Sequence, residues 1–98
     1  MSASITPGSV TRDEALAALA REGCSQARPW GNGPGETYGR HDHPRAKVLF
    51  CLEGSIVFHT DEGDVALGPG DRLDLPAGTE HAATVGPMGC ACVEAWAP

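Results

Sequence analysis

Residues 36–54 read ETYGRHDHPRAKVLFCLEG. From residue 46 the run is short, mostly apolar and closed by Gly54, which suits a strand over 46–53. Side chains alternate along a strand, so Lys47, Leu49 and Cys51 share one face and Val48, Phe50 and Leu52 the other. Both faces are apolar, so the strand must be covered on both sides. In a small barrel one face lines the interior, and the other needs a lid, such as a helix or a partner subunit. Just ahead, His41 and His43 share a face of a strand expected over 37–43. Two imidazoles at that spacing suggest a metal ion. Lys47 pulls the other way, because an ammonium repels a dication.

Working outward, short strands broken by glycine and proline continue to the end of the chain, at about 55–60, 64–67, 72–75, 81–85 and 89–96. TDEGD at 60–64 and GPGD at 68–71 read as turns. Several short strands at this spacing make an antiparallel sandwich or barrel. Upstream, Thr11 with Glu14 three residues later is a capping-box pair. Ala15, Leu16, Leu19 and Ala20 form one apolar stripe, and Gly23 is a natural stop, so the pattern predicts a helix over 12–22. It is too short to stand alone and must dock on the strands. Residues 1–10 read as a loose tail, 24–30 as a short strand and 31–35 as a turn cluster. The expected organisation is a tail, helix and short strand over 1–34 that pack on a barrel over 35–98.

The chain has 98 residues, enough for one modest core, with a formal charge of −6 and a pI near 5.0. An acidic chain with no Lys/Arg cluster argues against nucleic acid as a partner. The first thirty residues lack the apolar run of a signal peptide or a membrane span, so the expectation is a cytoplasmic protein with no membrane partner. Cys24, Cys51, Cys90 and Cys92 are scattered and read as reduced thiols.

Gly35, five residues, His41-x-His43, three residues, Lys47, six residues and Gly54 resemble the first motif of the cupin superfamily. Gly70, five residues, Pro76-x-Gly78, two residues, His81, three residues and Val85 are similar to the second. Two positions depart: Lys47 stands where the family has a glutamate, and Val85 where it has an asparagine. The fifteen residues between Gly54 and Gly70 are few for the family. The resemblance implies an all-β jelly roll, a small barrel of two packed antiparallel sheets, with His41, His43 and His81 converging on a metal inside, on which the short N-terminal helix expected above would pack.

The chemistry can be put without the family. Neutral imidazole suits zinc, copper, iron or nickel, and manganese is a further candidate. Three imidazoles from two strands leave positions open for water or substrate, the condition for metal-assisted chemistry. The bland alternative makes these histidines ordinary polar residues near a barrel rim. His59, beside a hairpin turn, reads as solvent-exposed, and Glu80 as solvated on the face opposite His81. Cys51 reads as a small core hydrophobe, with a thiolate ligand as the alternative. Cys90, Cys92, Glu94 and Trp96 share a face of the last strand. Tyr38 flanks the site, and Trp30 reads as core or dimer contact.

Lys47 has several ways to coexist with a metal. It can snorkel to the rim, pair with Glu94 or a bound anion, or lose its proton and act as a base or imine-forming amine, which makes it the catalytic candidate. The expectation adopted is that its ammonium points to the cavity mouth and holds an anionic ligand, such as a carboxylate, against the metal. Two functions remain open. One is a metal-dependent enzyme, an oxygenase or isomerase, acting on a small polar or anionic molecule. The other is a non-catalytic module that binds or senses a small ligand or metal. A homodimer is expected, with 24–30 pairing to a partner's sheet and Trp30 at the seam.

Overall fold

A computed structural model describes residues 3–98. The chain runs β1 (Ser4–Thr6), α1 (Arg12–Arg21), β2 (Ser25–Asn32), β3 (Thr37–His41), β4 (Lys47–Thr60), β5 (Gly63–Leu67), β6 (Arg72–Leu75) and β7 (His81–Trp96). All strand pairings are antiparallel. The first half of β4 pairs with the end of β7, and β6 and β2 extend that sheet, with β1 on its edge. The second half of β4 pairs with the start of β7, and β5 and β3 flank it. Two sheets thus share two long strands and wrap into a small barrel.

The strands expected at 46–53 and 55–60 are one strand, and so are those at 81–85 and 89–96. Their glycines mark bends within strands. The register of β4 against β7 shifts between Cys51 and Glu53 and again between Gly54 and Ile56. Gly54 has φ +71°, and a Cβ there would lie 1.9 Å from the carbonyl oxygen of Gly89, so the chains cross where only glycine fits. Residues 4–6 are not a loose tail: they form β1 and pair with β6.

The two faces of β4 divide as alternation requires. Leu49, Cys51, Ile56 and Phe58 join the barrel core with Leu67, Leu73, Ala83, Val85, Cys90 and Cys92. Val48 and Phe50 pack outside the barrel with Val93, Ala95 and the helix residues Ala15 and Leu19. The lid is therefore α1. It starts at the expected capping box: Glu14 N–H donates to Thr11 Oγ1 at 3.1 Å and Thr11 N–H to Glu14 Oε1 at 2.9 Å. Its far end is tied down by Arg72 of β6, which bonds both carboxylate oxygens of Glu22. No helix among the described residues is long and apolar enough to cross a membrane.

Candidate metal centre

His41 ends β3 and lies opposite His81, the first residue of β7, in the β3–β7 register. His43 falls beyond the strand, in the loop over 42–46, so the shared strand face expected for the two ends at His41. The rings meet nonetheless. Centroids are 4.9 Å apart for His41–His43, 4.3 Å for His41–His81 and 5.2 Å for His43–His81. The turn before β7 docks on this loop, because Gly78 N–H donates to the His43 carbonyl at 2.8 Å. Gly78 has φ +74°, which allows the turn that carries the chain into His81.

One ring nitrogen from each of the three lies within 4.8 Å of the others, and among the described residues no Cys, Asp or Glu joins this cluster. Hydrogen bonding orients them. His41 Nδ1 lies 2.6 Å from the Gly39 carbonyl and His81 Nδ1 lies 2.8 Å from the Thr79 carbonyl. A carbonyl only accepts, so each Nδ1–H donates to it, which orients the ring and leaves Nε2 as the nitrogen that could turn to a metal. Burial pushes the His43 imidazole below its ordinary range, and the charges of Lys47, His41 and His81 push it further. Burial also lowers His81, against the Thr79 carbonyl, which raises it. Both therefore favour the neutral form that a metal requires.

Lys47 does not stand free at the mouth. Its Nζ lies 3.1 Å from Glu94 Oε2 and 3.5 Å from His43 Nε2, and 5.0 Å from the Trp96 ring centroid. The side chains of Lys47 and Glu94 are only 13% and 10% exposed. Of the alternatives for Lys47, the ion pair with Glu94 is the one present. The pairing follows from register, because Leu49 lies opposite Glu94 and Lys47 opposite Trp96 across β4 and β7. Cys51 and Cys92 lie directly opposite each other in the barrel core, and their hydrogen bond lowers the Cys51 thiol and raises that of Cys92. They are not part of the histidine cluster. His59 is partly exposed and held between Asp64 at 2.8 Å and Thr84 at 2.9 Å. Glu80 is solvated, as expected, and binds Arg40 at 3.0 Å.

The histidines open on a cavity of about 310 Å³. Leu49, Ile56, Phe58 and Leu75 give it an apolar wall, and Arg28, Lys47 and Glu94 a charged one. Trp30 and Tyr38 line it together, edge to face at 6.1 Å. Sequence reasoning missed Arg28; Trp30, read as core or dimer contact, is partly buried against the barrel core.

Residues 32–90 match the family model described as a cupin domain. The chain belongs to the cupin family. It is 39% identical over 51 residues to quercetin 2,3-dioxygenase of Bacillus subtilis (strain 168), a match that covers 50% of this chain but 15% of that protein. It resembles the crystal structure of the DMSP lyase DddQ from Ruegeria pomeroyi DSS-3 with a TM-score of 0.67 and 27% identity, over 74% of this chain and 37% of that one. A cupin superfamily protein from Desulfitobacterium hafniense DCB-2 covers nearly the whole cupin chain, 98% of it and 77% of its own, with a TM-score of 0.67 and 17% identity. The cupin described here therefore spans a small part of the two named enzymes.

Proposed function

We propose that this cupin holds one divalent transition metal through His41, His43 and His81, and that the adjoining cavity binds a small polar or anionic molecule for transformation there. The observation that carries the reading is the meeting of three imidazoles, two of them oriented by backbone carbonyls at Nδ1. Metal–nitrogen bonds of about 2.0–2.1 Å hold two ligand nitrogens at most about 4.2 Å apart, a little under the 4.8 Å within which the three ring nitrogens lie. When bound, such an ion supplies Lewis acidity and open coordination positions. The chain's own residues then do the rest. The apolar wall excludes water, and Glu94 balances the Lys47 ammonium so that its charge does not face the ion alone. Kinship by sequence with a dioxygenase, and by structure with a lyase, is consistent with turnover at such a centre.

A second reading, a binding module without turnover, draws on one observation. Lys47 Nζ lies 3.5 Å from His43 Nε2, so a cation already borders the cluster, and no carboxylate among the described residues joins it. Metal analysis of protein purified without added metal tests the main reading. About one equivalent of a transition metal per chain is expected, lost in His43→Ala. Equal metal content in both proteins would refute it.

A further inference from the structure

We infer that Arg28 is the specificity residue of the cavity, and that its ligand is a small carboxylic acid with a flat or compact apolar body. The inference rests on the cavity being a ligand site, but not on the metal. The cavity is lined by two cations, Arg28 and Lys47, and one anion, Glu94. Lys47 is committed: it is nearly buried, 3.1 Å from Glu94 and packed on Trp96. Arg28 is not. It lies opposite Glu94 in the β2–β7 register, touches it with a single terminal nitrogen at 3.5 Å, and leaves 73% of its side chain exposed. A guanidinium carries five N–H donors in a planar fork, so most of this one is free to receive a carboxylate bidentately. Among these three charged side chains two cations face one anion, and the less committed cation is Arg28 at the exposed rim.

What lies below Arg28 sets the rest of the ligand. Trp30, two residues along the same strand, lines the cavity with Tyr38 against it. The indole Nε1 of Trp30 is buried with no hydrogen-bond partner among the described residues, a donor still to be satisfied. Leu49, Ile56, Phe58 and Leu75 make the opposite wall apolar. A volume of about 310 Å³ is at the small end of the roughly 300–1,000 Å³ of ligand pockets. An acid head at the rim and an apolar body below it match this lining. A phosphate ester or a sugar would leave much of the apolar wall without complement.

Benzoate and benzamide, alike in shape but not in charge, are suitable probes. Their binding is read by tryptophan fluorescence and calorimetry on the full chain, as purified and after zinc loading. Benzoate is expected to bind more tightly than benzamide in both preparations. Arg28→Gln should weaken benzoate at least about tenfold, the scale of a lost charge-assisted hydrogen bond, and leave benzamide within a factor of about two. Arg28→Lys should recover part of the loss. Benzoate affinity unchanged in Arg28→Gln, equal binding of the two probes, or no binding of millimolar benzoate would each overturn the assignment. A zinc titration of the same proteins reports separately on the histidines. Failure of zinc to bind would remove the metal reading and leave the benzoate result standing.

Discussion

Lys47 is the cation that borders the histidine cluster, 3.5 Å from His43 Nε2. It forms a pair with Glu94 of the neighbouring strand. Two unit charges at this separation attract by about 5 kcal/mol at an effective dielectric of 20, and a dication brought near the ammonium is repelled on the same scale. Lys47→Met is therefore expected to raise zinc affinity severalfold in a calorimetric titration. It also strands Glu94, although Arg28 compensates in part. Glu94→Gln strands the nearly buried ammonium and should cost about 3 kcal/mol in denaturant unfolding, because breaking a buried pair costs more than replacing it. The double exchange Lys47→Glu with Glu94→Lys restores the pair and puts a carboxylate beside the histidines, and it should bind zinc most tightly. If zinc affinity is the same in all four proteins, Lys47 has no influence on the ion. The histidines were legible because motif spacing fixes them, and the Lys47 partner was legible from strand parity. Arg28 was not. Pro29 weakens the strand signal, and Gln26, at φ +56°, sits within a register shift between Ser25 and Arg28 that breaks the two-residue period.

The helix and β6 are joined at one point. Arg72 binds Glu22 at the end of α1 and Asp74 on its own strand, and its guanidinium lies over Phe50, 5.6 Å from the ring centroid. The Arg72 hydrogen bonds hold the Glu22 carboxyl below its ordinary value of 4.5. The unfolded chain takes up that proton first as pH falls. The stabilisation is therefore complete above about pH 4.5 and is lost as pH drops through the lower folded value. Glu22 is partly exposed, so the effect is screened to no more than about 1 kcal/mol, a few degrees in melting temperature. Melting curves between about pH 5 and pH 3 should fall more steeply for the natural protein than for Arg72→Met. Parallel curves would show that the pair contributes nothing. The helix itself was legible to within a residue, because its cap, stripe and stop agree. The long strands were not, because glycine reads as a break in a sequence whether the chain turns there or bends within a strand. β1 is three exposed residues with no apolar pattern to betray it.

At the scale of the whole molecule, β2 closes one end of the larger sheet and pairs only with β7 among the described residues. An open strand edge invites a partner. The homodimer expected from the sequence stands as a proposal on that edge, without Trp30 at the seam, since Trp30 lines the cavity. Light scattering at micromolar concentration should give twice the 10.1 kDa chain mass. The chain mass itself would reject the dimer.

Because β4 and β7 belong to both sheets, the barrel has no hinge along which its halves could part. Opening them means breaking the longest ladder in the molecule, which spans Lys47–Thr60 and His81–Trp96. The segment over 42–46 lies outside that ladder. Two backbone bonds hold it, from Gly78 N–H to His43 and from Ala97 N–H to Ala46. That segment carries His43. A displacement of that segment would carry the His43 ring away from His41 and His81, so the position of the loop and the meeting of the three rings change together.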